Sequence, residues 1–155
     1  MSRAFVKESD DGDGQELPEL QISPHRNLVT PAGMRQIETT VERLQSALSE
    51  ARAAEDRAAI AWIQRDLRYW SERQRTAETV PALPASGTAR FGYSVTLEKA
   101  DGKRVGYQIV GEDEADPSEG RISYVSPIAR KLLGAAVGDE VGLADGTARI
   151  VEINQ

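Results

Sequence analysis

Glu55 and Asp56 stand side by side in SEARAAEDRAAIAWI, residues 49–63, where the apolar pattern of an Ala- and Arg-rich run breaks. Adjacent carboxylates at such a break either cap a helix or do chemistry. As a cap, Asp56 suits the first residue before a helix and Glu55 favours the positive end of the helix dipole. Other chemistry-bearing residues are sparse. The string Asp10-Asp11-Gly12-Asp13-Gly14 resembles a calcium loop, but the twelfth position counted from Asp10 is Gln21, where the bidentate Glu is required. The single histidine, His25, lies in a polar stretch with no framework for a triad or a phosphohistidine. With no cysteine, a thiol nucleophile, a disulfide and a Cys-based metal site are all excluded. No metal site of the chain's own is expected.

The elements that must position the acid pair are legible in the spacing. Thr30 can serve as N-cap and Pro31 as the first helical residue. From there Met34, Ile37, Val41, Leu44, Leu48 and Ala51 follow in alternating steps of three and four, the seam of a coiled coil. Ile60, Ile63, Leu67, Trp70, Gln74 and Ala77 repeat those steps. With so few residues between the two series, the helices must fold back as an antiparallel hairpin over residues 29–80. At about 1.5 Å per residue each arm reaches about 33 Å, and Glu55 and Asp56 sit at the tip of that rod. Trp62 and Tyr69 lie off the seam, where they cover a flank of the hairpin or its root.

Residues 81–87, PALPASG, have linker composition, and residues 88–155 read as a small α+β domain. FGYSVTLEKADGKRVGYQIV is two strands joined across Asp101-Gly102, RISYV is a third, and DEVGLA with ARIVEIN is a final hairpin across Asp145-Gly146. SPIARKLLG is a compact helix with Ser126 as N-cap, Pro127 in the first turn and Gly134 as its stop. Residues 1–28, rich in acids, Gly and Pro, read as a flexible acidic tail.

The net charge of −6 argues against a generalised attraction to nucleic-acid phosphate. The sign is uneven, however. Only residues 29–86 are balanced, with eight acids and eight bases, and all eight bases are arginine. Arg57, Arg65, Arg68, Arg73 and Arg75 give the second arm a basic character, which a solvated face with intrahelical ion pairs would explain. No apolar run approaches the roughly 20 residues of a membrane span, and MSRAFVKE has no signal-peptide core, so a cytoplasmic location is expected.

At these residues the chain resembles the bacterial Gre family of transcript-cleavage factors, GreA and GreB. YQIVGEDEADPSEGRISYVSPIARKLLG followed by VGDEV is similar to the family's signature in residue type, order and spacing, and LVTPAG is similar to its opening helix. The resemblance covers residues 28–155 and implies a coiled-coil hairpin followed by an FKBP-like domain. It further implies a monomer that docks on RNA polymerase at the rim of the secondary channel and passes its hairpin towards the active site, where nascent RNA or DNA is met only within the elongation complex. The chain would be no enzyme by itself and would carry no intrinsic cofactor; at most Glu55 and Asp56 would help to hold a polymerase-bound Mg²⁺.

Carried over by position, the family's docking element falls on Ile122, Ser123, Ser126 and Pro127, with the acidic loop Glu112–Asp116 contributing Asp113 and Asp116. Val125 stands where the family usually has Asp or Asn. Arg65 and Arg68 would meet transcript or channel wall. The tip departs from the family's D-x-x-E-N pattern, because Ala59 and Ile60 occupy the Glu and Asn positions when Asp56 is placed on the Asp. The first arm is also shorter than the family's by about two turns, roughly 11 Å. Two outcomes therefore stand open: stimulation of RNA cleavage, or a cleavage-silent occupant of the channel akin to the family known as regulator of nucleoside diphosphate kinase. A prolyl isomerase, the activity of FKBP-like domains elsewhere, is a third, poorly matched by a domain whose aromatics are Phe91, Tyr93, Tyr107 and Tyr124.

Overall fold

A computed structural model describes residues 17–155. The first helix, α1 (Pro31–Ala53), starts as its sequence requires: the Thr30 hydroxyl accepts from the Gly33 N–H at 3.0 Å, and Pro31 fills the first turn. It packs along its length against α2 (Arg57–Thr76). Ile37, Val41, Leu44 and Ala51 of the α1 seam are buried, whereas Ile60, Ile63, Leu67 and Trp70 of α2 are half-buried. Two helices share a single interface, and without a third layer part of the α2 seam stays in water. Ala77, expected to extend the second seam, is instead the extended residue that ends α2. Strands β1 (Leu28–Val29) and β2 (Glu78–Thr79) then pair in parallel and clasp the two ends of the hairpin.

The C-terminal part is a five-stranded sheet of β3 (Ser94–Lys99), β4 (Arg104–Val110), β5 (Arg121–Ser123), β6 (Glu140–Leu143) and β7 (Gly146–Asn154), in the order β5-β4-β3-β7-β6. Both Asp-Gly pairs join antiparallel neighbours, β3 to β4 and β6 to β7, as their turn chemistry demands. β5 lies parallel to β4 and stops at Ser123, because the chain must turn to let Ser126 cap α3 (Pro127–Leu132). Ala129 and Leu132 of α3 pack against Val95, Leu97, Ile109 and Ile150 of the sheet, each fully buried. The helix and one sheet face thus make the α+β core.

Residues 17–27 form no helix or strand, yet they make specific contacts with both parts of the molecule. Glu19 pairs with Arg68, the Ser23 hydroxyl donates to Glu112 Oε1 at 2.9 Å, and the Tyr124 hydroxyl donates to the Arg26 carbonyl. Asn27 is buried and donates from Nδ2 to the Arg73 carbonyl at 2.7 Å. A flexible tail over all of 1–28 therefore needs correcting for its later part: polar side chains and backbone groups hold it, which apolar content does not register. The Asp10–Gly14 string lies outside the described residues.

Candidate functional site

The turn between α1 and α2 has three residues and leaves little backbone polarity unmet. Ala54 N donates to the Glu50 carbonyl at 3.0 Å, Glu55 N to Arg52 at 3.1 Å and Asp56 N to Ala51 at 3.0 Å. Glu55 takes the left-handed conformation at φ 55°, a position usually given to glycine and costing a side-chain-bearing residue about 1 kcal/mol. Asp56 is the N-cap of α2, its Oδ1 accepting from Ala59 N at 3.0 Å. Both acids are exposed at the tip. Among the described residues the arrangement leaves one free carboxylate, Glu55, beside another committed to its own helix.

At the other end of the rod, the root is locked to the domain by ionised groups removed from water. Arg73 is 2 % exposed and donates from Nε to Asp113 Oδ2 at 2.5 Å, with its Nη2 3.8 Å from Glu112 Oε2. The Tyr69 hydroxyl donates to the other Asp113 oxygen at 2.5 Å, and burial together with that carboxylate pushes the phenol up to about 12. A second buried acid, Glu114, accepts from Thr30 N at 2.9 Å, from the Thr30 hydroxyl and from Gly111 N at 3.1 Å. Only glycine fits around that carboxylate: a Cβ on Gly33 would lie 2.0 Å from Glu114 Cδ, and one on Gly111 would lie 2.3 Å from the Leu28 carbonyl oxygen. Thr30 is thus capped to α1 and bound to the domain at once.

Composition and spacing do not predict this joint. Asp113, expected to face a partner, turns inward to the hairpin, because a buried arginine needs a carboxylate more than solvent does. Asp113 and Glu114 of the acidic loop are thus both held in the joint. Two signals in the sequence could have found it: Arg73 falls one position from the α2 seam, and the opening TPAG places a glycine one turn into a helix, where it otherwise only destabilises.

The other residues expected to face a partner form one continuous edge. Asp116 and Arg121 bridge through both backbone groups, β5 continues through Ile122 and Ser123, and Ser126 N donates back to the Ser123 carbonyl at 2.9 Å. Ser126 caps α3 by accepting from Ala129 N at 3.3 Å, and Pro127 is exposed at its first turn. Ile122 differs from its neighbours: its side chain is buried in the core. Asp116 is held below the usual carboxylate range by the Ser118 hydroxyl, which donates to Oδ1 at 2.5 Å. Val125 sits half-buried beside them, its N–H donating to the Ser123 hydroxyl at 3.3 Å.

Along α2, Arg65 donates from Nη2 to Asp66 Oδ1 at 2.7 Å and lays its guanidinium 4.5 Å from the centre of the Trp62 ring. Arg75 pairs with Glu72. Arg68 differs in taking its carboxylate from far away in sequence, with Glu19 2.5 Å from its Nη2. Trp62 is 49 % exposed, while Tyr69 serves the root, so each of the two aromatics read off the seam has its own place.

The family model and the sequence relatives agree on one family. Residues 84–155 match the family model described as transcription elongation factor GreA/GreB, C-terminal. The chain is 36 % identical over 149 residues to transcription elongation factor GreA of Vibrio parahaemolyticus, covering 82 % of this chain and 94 % of that protein. It is 31 % identical over 144 residues to GreB of Haemophilus ducreyi, covering 81 % and 89 %. A shorter stretch of 63 residues, 40 % of each chain, is 54 % identical to GreA of Thioalkalivibrio sulfidiphilus. Among solved structures, GreA factor homolog 1 (Gfh1) of Thermus thermophilus is 27 % identical, covering 84 % of this chain and all of that one, with a TM-score of 0.42.

Proposed function

The chain belongs to the GreA/GreB family of transcription elongation factors, and from that premise we propose that it binds RNA polymerase and inserts its hairpin into the secondary channel as a cleavage-silent occupant. Ser123, Ser126, Pro127 and Asp116 are the docking edge: they are contiguous, and an exposed helix start held by its own cap is a rigid surface that loses little entropy on binding. The buried Arg73–Asp113 and Glu114–Thr30 contacts fix the direction in which the rod leaves that edge.

The observation that carries the cleavage-silent role is the tip. Asp56 spends one oxygen on Ala59 N, and the positions three and four residues further on hold Ala59 and Ile60, neither of which has an oxygen to offer a metal. A polymerase-held Mg²⁺ takes its protein ligands from carboxylates at about 2.1 Å, so a pair whose second half is missing supplies at most part of a coordination set. The free, exposed carboxylate of Glu55 supports a second reading, in which the tip completes the polymerase's metal site with a different geometry and cleavage is stimulated.

A defined backtracked elongation complex separates the two. Wild type and Glu55→Ala/Asp56→Ala are compared for binding and for RNA shortening on the same complexes. Both chains are expected to bind, and neither to shorten the RNA faster than polymerase does alone. Shortening by wild type that the double variant loses would install the second reading; failure of both to bind would end both.

A further inference from the structure

Strand alternation puts a charge on the face of the sheet that is otherwise apolar. Along β3, Val95 and Leu97 are buried in the core, and the next residue on that face is Lys99. Tyr107 pairs with Val95 across β3 and β4 and so shares the face, as does Leu143, two residues after the buried Val141 of β6. The helix over this face is short: the six residues of α3 span about 9 Å, the six of β3 about 20 Å. What α3 leaves uncovered is an open cavity of about 470 Å³, lined by Tyr107, Ile128 and Leu143 on its apolar side and by Lys99, Lys131 and Asp145 on its charged side.

Both ammonium groups are fixed to one turn. Lys131 Nζ donates to the Gly142 carbonyl at 2.9 Å and Lys99 Nζ to Asp145 Oδ2 at 2.8 Å, so α3 and β3 each hold an end of the segment that links β6 to β7. Each ammonium spends one of its three N–H groups in this way, and the Tyr107 hydroxyl has no partner among the described residues. Unspent donors from two cations and a phenol therefore face one carboxylate, a balance that selects an anion. With side-chain exposures of 33 % and 63 %, Lys99 is the deeper member of its pair, and Asp145 can turn to solvent when another anion takes its place. A lysine is a compact charge without the planar fork of arginine, and it takes phosphate and carboxylate alike. The apolar side suits a flat hydrocarbon body, and the volume lies within the roughly 300–1,000 Å³ of small-molecule sites.

We propose that this cavity binds a small organic anion, a phosphate or carboxylate carried on a planar apolar body, with Lys99, Lys131 and the Tyr107 hydroxyl holding the charged group. The site goes beyond the polymerase-binding reading and does not rest on it. Of the docking edge only Pro127 reaches the cavity wall, and the hairpin takes no part.

The test titrates four probes into the full-length, ¹⁵N-labelled chain at one ionic strength of about 150 mM, following backbone amide shifts. The probes are phenyl phosphate, benzoate, inorganic phosphate and phenol. At least one of the first two is expected to shift the Tyr107, Ile128 and Gly142–Asp145 amides to saturation, at least about fivefold more tightly than inorganic phosphate or phenol, and the tighter of the two names the charged group. Lys99→Gln and Lys131→Gln should each weaken that probe by at least about threefold, and Lys131→Arg should restore most of the loss. Lys103→Gln, which removes a lysine 81 % exposed between β3 and β4, should leave the affinity unchanged. Each spectrum also reports the fold of its own variant, and Tyr107→Phe, which removes only a hydroxyl, gives a further test by weakening the same probe. Shifts that never saturate, an equal affinity for inorganic phosphate or phenol, or a loss in Lys103→Gln as large as that in Lys131→Gln overturns the site.

Discussion

Replacing Arg73 by Met should separate a structural joint from a decorative ion pair. Arg73 is 2 % exposed and the Asp113 side chain 8 %, and the shortest link between them is 2.5 Å. Removing the guanidinium leaves the Asp113 carboxylate buried with only the Tyr69 hydroxyl, and leaves Glu112 Oε2 without its neighbour at 3.8 Å. Breaking a buried pair from one side costs about 3–5 kcal/mol. The remaining Tyr69 bond and the volume that Met restores bring the expectation to the lower end, about 3 kcal/mol, or roughly 10 °C in Tm for a chain of this size. Guanidinium unfolding followed by tryptophan fluorescence is well placed to read it, because both tryptophans, Trp62 and Trp70, are on α2. Asp113→Asn and the double variant complete a cycle in which the coupling should be about 2 kcal/mol or more. An Arg73→Met chain within about 1 kcal/mol of wild type, or an additive cycle, would refute the joint.

Three further outcomes follow from the same geometry. Gly33→Ala should destabilise by about 2–4 kcal/mol, since the new methyl meets Glu114 Cδ at 2.0 Å and expels a carboxylate that serves three donors; the check is a denaturation midpoint, and a neutral result contradicts the close approach. Tyr69 titrates at about 12 rather than 10 because it is buried and donates to Asp113, so its contribution to stability is fully present below about pH 10 and is lost as pH rises towards 12. Ultraviolet titration of phenolate should show that late step and Tyr69→Phe should remove it. At the tip, Asp56→Ala should cost about 1 kcal/mol through loss of the α2 cap, while Glu55→Gly should gain up to about 1 kcal/mol by relieving φ 55°; thermal melts of the two variants moving in the same direction would contradict the turn.

Local rules made much of the fold readable from sequence, and the joint escaped because it is not local. Thr30-Pro31, Asp56 and Ser126-Pro127 each cap a helix through a backbone N–H three residues away, and the two Asp-Gly pairs each close a hairpin, so a short window holds the whole cause. The same holds for the α1 seam. Arg73 read as part of a basic, solvated arm because its partner Asp113 lies 40 residues on, in a loop whose own composition reads as solvated. Glu114 escaped for the same reason, its Thr30 partner being 84 residues away. Of the residues expected to face a partner, Ser126 and Pro127 stand at a helix start with Pro127 exposed, whereas Ile122 faces the core because strand alternation places it there.

The proposed entry of the tip into the secondary channel of RNA polymerase can be tested at a single site, because the chain has no cysteine. A Glu55→Cys chain carries one thiol, at the exposed turn, to which an iron chelate generating hydroxyl radicals can be attached. In a complex with polymerase, cleavage of polymerase segments lining the active centre and of the nascent RNA close to its 3′ end is the predicted result. Cleavage confined to the enzyme's outer surface, with the factor bound, would contradict it.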